Sequence, residues 1–249
     1  MDEKQKNSKM QFAYLLPNLF TAASAFLGVA SIIASVDGKF EKAALYIMLS
    51  LIFDGLDGRV ARLTKTTSKF GVEFDSLADV IAFGAAPAMF FYFHTGIEFG
   101  RIGVIIAAIF VVFGAIRLAR FNIMSPVNEP SVFIGIPIPT AAVLVVMWGL
   151  MFEKYPQILS GFEWTLLVLQ TVTAFLMVSN IRYPSFKKIN LKKSSILKVL
   201  TSLIVIASMI YLYPIQIFTI LATAYVLYGL IRVSVNFFIA KIKKNKYNN

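Results

Sequence analysis

Apolar residues run for about 20 positions at a time along this chain, broken by short polar stretches, without the strict alternation of barrel strands. The runs predict eight spanning helices, at about 14–35, 41–62, 70–93 and 102–122, from the stretch GIPIPT (135–140) to about 152, then 164–180, 197–213 and 215–239. The fold class is therefore all-α, a polytopic membrane protein with both ends on one side of the bilayer. Pro17 is expected in the first turn of the first span, where a missing N–H costs little. The small residues Ala22, Ala23, Ser24, Ala25 and Gly28 predict close helix packing there, and hint at a dimer contact. Pro87 predicts a kink in the third span. Two prolines and a glycine in GIPIPT predict a broken opening to the fifth, with backbone groups left unpaired.

Charge orients this arrangement. Of the 24 Lys and Arg residues, all but Lys39, Lys42, Arg101 and Lys154 fall on the side of the termini. The positive-inside rule then makes both termini cytoplasmic. With 58% hydrophobic residues and a net charge of +11, the basic residues flank spans and form no polar domain. They point to anionic lipids as partners and not to nucleic acid. Lys187 and Lys188, in the basic loop, are candidates for lipid headgroup contact. The first twelve residues carry charge but no cleavage signal, so the first span is read as uncleaved. Cysteine is absent, which excludes disulfides, thiolate catalysis and iron–sulfur clusters.

Acidic residues are scarce, 13 in 249, yet four aspartates fall between residues 54 and 79. Asp54 and Asp57 are spaced i,i+3, and Asp75 and Asp79 i,i+4, so each pair shares a helix face. Carboxylates beside a membrane are costly unless paired or liganded. Four converging ones repel, and a hard cation such as Mg²⁺ or Mn²⁺ would neutralise them. Two such ions suit phosphoryl chemistry, since together they hold the attacking and leaving oxygens. A transporter with an intramembrane carboxylate site is the alternative. Clustering of the acids at one leaflet, without paired broken helices in corresponding halves, speaks against it.

The stretch DGLDGRVARLTKTTSKFGVEFDSLAD resembles the signature of the CDP-alcohol phosphatidyltransferase family, D-x2-D-G-x2-A-R-x8-G-x3-D-x3-D. Asp54, Asp57, Gly58, Ala61, Arg62, Gly71, Asp75 and Asp79 occupy every fixed position. The resemblance implies a six-span catalytic core at 14–180, commonly dimeric. A cytoplasmic segment (1–13) would precede it, with a basic loop (181–196), two added spans (197–240) and a basic tail (241–249) after it. It implies transfer of a phosphatidyl group from a CDP-linked lipid to an alcohol, with release of CMP. Asp54, Asp57 and Asp75 would be principal metal ligands, and Asp79 would add to the metal site and act as base. Gly58, Ala61 and Gly71 would make room for the nucleotide. Arg62 can pair with a carboxylate or phosphate.

Acceptor choice rests on other residues. Arg117 and Arg120, an i,i+3 pair in RLARFN, can face one pocket and take an anionic group of the acceptor or the donor diphosphate, with Asn122 as a further candidate. RLARFN, GIPIP and two spans beyond the core resemble the branch of the family that uses CDP-diacylglycerol as donor and serine as acceptor. Glycerol 3-phosphate or an inositol phosphate is the alternative acceptor within the family. The resemblance places the chain in a bacterial inner membrane, with the site facing the cytoplasm. His94, the single histidine, lies at the opposite end of its span from the aspartates and is read as interfacial.

Overall fold

A computed structural model describes the backbone of residues 3–124, 132–184, 201, 204 and 207–247, and the side chains of 15–124, 133–183, 201, 204 and 207–235. The helices are α1 (Glu3–Val36), α2 (Phe40–Thr64), α3 (Lys69–His94), α4 (Arg101–Met124), α5 (Ile138–Lys154), α6 (Trp164–Val178) and α7 (Pro214–Tyr247). Among the described residues, four stretches are long and apolar enough to cross a membrane: Leu15–Val36, Lys69–His94, Arg101–Met124 and Pro214–Val235. The chain is an all-α polytopic membrane protein. The span expected at 197–213 is described at 201, 204 and 207–213, with helix over 207–212, and the rest of it lies outside the described residues, as do Lys187 and Lys188.

α1 and α2 form an antiparallel hairpin turned at Asp37–Lys39, with Gly38 at φ +70°. Hydroxyls line their seam. Ser24 and Ser50 oxygens meet at 2.6 Å, and Ser31 donates to the Ala43 carbonyl at 2.9 Å. Such bonds hold helices together where lipid supplies no hydrophobic drive. Gly28 packs on Ala82 of α3, so the buried members of the small-residue face, Ser24 and Gly28, are engaged inside the chain.

Three local expectations change. α1 runs back to Glu3, so Pro17 sits inside the helix and not in its first turn. The irregularity of α3 is a π-helical turn, Val80–Ala85, which ends just before Pro87 at the start of the following α segment. A ring without N–H fits there, because the wide turn already breaks the regular bonding. The break before α5 is a strand, β1 (Val132–Ile134), paired antiparallel with β2 (Arg182–Pro184). Gly135 follows at φ +75°, a conformation that disfavours a side chain. Its N–H donates to Ile181 O at 2.8 Å, and that of Ile136 to Leu176 O at 3.2 Å. The donors of Gly135 and Ile136 are thus satisfied by Leu176 of α6 and by Ile181 just beyond it, since buried amides must find acceptors. Ile136, Ile138, Phe83, Phe90, Phe110 and Met177 centre the core.

Candidate active site and metal centre

The C-terminal end of α2 and the N-terminal end of α3 meet across a loop of four residues. Lys65, at φ 56°, ends α2 in a left-handed cap, with Thr66 N donating to Ala61 O at 2.9 Å. Ser68 caps α3 by accepting from Gly71 N at 3.0 Å. These two caps set the angle at which the acidic faces converge.

They converge closely. Asp54, Asp57 and Asp75 each offer an oxygen within 4.8 Å of the others. Asp75 lies against Asp57 and Asp79 against Asp54, carboxylate to carboxylate. Asp57 and Asp79 are buried. Carboxylates at this range repel unless a cation lies among them, and an all-oxygen anionic donor set suits a hard divalent ion. The cluster fits a divalent metal.

Thr21 of α1 donates to Asp57 Oδ2 at 2.6 Å, and its hydroxyl also sits 3.2 Å from the Pro17 carbonyl. A hydroxyl has one proton, and the shorter contact, to a charged acceptor, holds it. A cavity of about 190 Å³ opens beside these carboxylates. Gly58, Ala61, Arg62 and Gly71 line it, with Asp57 and Asp75 at its edge. Asn18, Thr21 and the loop Thr66–Ser68 complete the wall. A Cβ on Gly71 would meet Ser68 Oγ at 3.2 Å and Asn18 Oδ1 at 3.4 Å. The contribution of α1 was not anticipated, although Asn18 and Thr21, spaced i,i+3 in PNLFT, do share a helix face.

Arg117 and Arg120 part company. Arg117 is 6% exposed, and its Nε lacks a hydrogen-bond partner among the described residues. Its charge interacts with Asp79, and its guanidinium stands 5.2 Å from the Phe121 ring centroid. Arg120 turns to the end of α6. It donates to the carbonyls of Val178 (3.0 Å), Ser179 (2.9 Å), Met177 (3.4 Å) and Ile134 (3.1 Å), and to Asn180 Oδ1 (3.4 Å). Met177 and Val178 are the last residues of α6, where a helix leaves carbonyls unpaired and a cation is favoured. Asn122 donates to Ser76 Oγ at 2.8 Å, tying α4 to α3 next to Asp75. His94 stacks on Phe90 and contacts Thr95, at the other end of α3 from the carboxylates.

A second cavity, of about 400 Å³ and mainly apolar, lies between α2, the GIPIPT segment and α7. Leu51, three residues before Asp54, lines it together with Pro137, Thr140, Phe218 and Tyr225. It therefore begins one helical turn from the carboxylates.

The site and fold define a phosphatidyl-transferring membrane enzyme. Residues 14–176 match the CDP-alcohol phosphatidyltransferase family, and the chain belongs to it. It is similar to a CDP-diacylglycerol–serine O-phosphatidyltransferase of Helicobacter pylori (strain ATCC 700392 / 26695), with 51% identity over 219 residues, 88% of this chain and 91% of that one. An archaetidylserine synthase of Methanothermobacter thermautotrophicus is 36% identical over 171 residues, 68% of this chain and 69% of the relative. Among solved structures, Mycobacterium tuberculosis phosphatidylinositol phosphate synthase with CDP-DAG bound superposes at TM-score 0.50 and 21% identity, covering 67% of this chain and 89% of that one. That likeness concerns the fold.

Proposed function

We propose that this protein is a CDP-diacylglycerol–serine O-phosphatidyltransferase, which makes phosphatidylserine and CMP. The observation that carries the reading is the convergence of Asp54, Asp57 and Asp75 beside a cavity walled by Gly58, Ala61, Arg62 and Gly71. The identity to serine-using relatives over most of the chain supports the acceptor.

Asp54, Asp57, Asp75 and Asp79 would hold two Mg²⁺ or Mn²⁺ ions. When bound, these supply charge stabilisation to the transferring phosphoryl group and polarise the acceptor hydroxyl. The cavity beside Gly58, Ala61 and Gly71 takes the cytidine nucleotide, and Arg62 meets its diphosphate. Diacylglycerol chains lie in the apolar cavity that begins at Leu51. Serine enters from the cytoplasm, and Arg117, buried and with an unused donor, takes its carboxylate. The serine hydroxyl attacks the β-phosphorus as its proton passes to the Asp79 carboxylate. The new O–P bond forms as the bond to CMP breaks, and CMP leaves with that electron pair. Asn122 and Arg120 act from behind the site, Asn122 on α3 and Arg120 on the GIPIPT segment.

In this reading the chain has eight spans with both termini cytoplasmic, and the chemistry takes place at the inner face of a bacterial cytoplasmic membrane, where an anionic leaflet attracts the basic loop and tail; the excess of Lys and Arg on the side of the termini supports it. The protein works as a homodimer. The test is an acceptor panel. Purified protein with Mn²⁺ is expected to release CMP from CDP-diacylglycerol when serine is supplied. Equal release with glycerol 3-phosphate or an inositol phosphate would overturn the serine assignment.

A further inference from the structure

Asp79 ends the first α-helical part of α3 and immediately precedes the π turn Val80–Ala85. It stands one helical turn beyond Asp75, on the same face, and is buried. In the turn, Ala86 N–H donates to Ile81 O, five residues back instead of four. An unbroken α-helix would tie the direction of Asp79 to that of the core residues after it, at about 100° per residue. The extra residue of a π turn loosens that tie, so Phe83, Phe90 and Phe91 fill the core while Asp79 stays on the face of Asp75.

Such a turn is rare within a helix, and here α1 packs directly on it. A Cβ on Gly28 would meet Ala82 Cα at 2.7 Å and Ala82 N at 3.0 Å, so the two backbones touch with no room for a methyl group. Ala82, three residues past Asp79, has no exposed surface. The contact is with the backbone of the turn itself, which cannot swing aside as the end of a side chain can. Gly84, in the same turn, differs. A Cβ there would stand 3.7 Å from Ile138 Cδ1 and 3.8 Å from Val80 Cγ1, at ordinary contact distances. α1 therefore touches both acidic segments from one face. Thr21 holds Asp57 by its hydroxyl, and Gly28, two helical turns on, seats the turn behind Asp79 by its bare backbone.

We propose that Gly28 is a positioning residue which, by seating the π turn Val80–Ala85, sets the Asp79 carboxylate where it accepts the proton of the acceptor hydroxyl. A displacement of about 1 Å at a reacting group can cost about 10²-fold in rate, even when its cause lies away from the chemistry. The first helix then serves the proton-accepting carboxylate as well as Asp57. This rests on the reading in which Asp79 takes that proton.

The experiment measures CMP release by the full-length protein with Mn²⁺, together with thermal unfolding in detergent with and without Mn²⁺. The proteins compared are wild type, Gly28→Ala, Gly84→Ala, Asp79→Asn and the double variant of Gly28→Ala with Asp79→Asn. Gly28→Ala is expected to lower kcat about 10²-fold, with KM for serine and for CDP-diacylglycerol each within about twofold of wild type. Its upward shift in melting temperature with Mn²⁺ should persist, because Asp54, Asp57 and Asp75 still converge. Gly84→Ala adds a methyl group to the same turn without crowding it, and kcat should stay within about twofold. In the Asp79→Asn background Gly28→Ala should lower the rate by less than about threefold, because the group it acts through is already altered. Ala82→Gly loosens the same contact without adding an atom and covers the case in which Gly28→Ala does not fold. It should lower kcat about tenfold with both KM values kept. An unchanged kcat in the folded variant of this contact, an equal loss in Gly84→Ala, disappearance of the Mn²⁺ shift, or effects that multiply with Asp79→Asn would each overturn the proposal. Absence of serine-dependent CMP release in the wild type would instead refute the underlying function.

Discussion

The Thr21 hydroxyl donates to Asp57 Oδ2 across 2.6 Å, joining the first helix to the carboxylate cluster over 36 residues of sequence. That bond fixes which oxygen of Asp57 remains directed at the other carboxylates. α1 is thereby tied to the carboxylate cluster, although it contributes no carboxylate.

Thr21→Val keeps the shape of the side chain and removes the donor. Loss of a hydrogen bond to a metal-ligating carboxylate commonly costs about 10–100-fold in metal affinity. The half-saturating Mn²⁺ concentration for CMP release should rise by that factor, with little change in the melting temperature of the metal-free protein. A titration of activity against Mn²⁺ checks it.

Removing metal with EDTA should abolish CMP release, and added Mn²⁺ or Mg²⁺ should restore it. Binding to the native cluster also stabilises the fold, by about 2.7 kcal/mol at one hundred times the dissociation constant. Thermal unfolding in detergent should therefore shift upward with Mn²⁺. Asp75→Asn, which removes one of the three clustered ligands, should lose most of that shift.

Asp79→Asn is expected to fold and to lower kcat by about 10²–10⁴, the range for a general base. Single-turnover CMP release measures it. A wild-type rate would remove Asp79 from the proton-accepting role.

Arg120→Lys should act on stability. Five acceptors surround the guanidinium, and a lysine ammonium cannot span them. A loss of about 1.5–3 kcal/mol is expected from hydrogen bonds to a charged group, read as a lower melting temperature with the serine KM of the folded protein nearly unchanged. Arg117→Lys should do the reverse, raising the serine KM with a smaller effect on melting.

Much of this protein was legible in its order of residues, because the signals concerned are local. Apolar runs of bilayer length announce helices whatever packs against them, and the described helices begin and end near the predicted positions, apart from the early start of α1 and the late end of α7. The i,i+3 and i,i+4 spacings place Asp54 with Asp57 and Asp75 with Asp79 on shared faces before any fold is known. A loop of four residues then leaves the two pairs little choice but to meet.

Other features depend on partners distant in sequence, and no periodicity encodes those. Arg117 and Arg120 have the same spacing as Asp54 and Asp57, yet one guanidinium stays buried over the Phe121 ring while the other closes the end of α6, 58 residues away. The prolines and glycine of GIPIPT indicated a break, but only the packed end of α6 decides that the freed amides are satisfied. Thr21 and Gly28 in an apolar helix look like ordinary membrane residues until the helices assemble. Sequence alone determined which described segments form apolar helices and which carboxylates cluster, since both follow from neighbours along the chain. Tertiary structure decided that Arg120 closes on the end of α6 while Arg117 stays buried apart from it, since a buried charge or hydroxyl takes its partners from the acceptors that the fold brings to it.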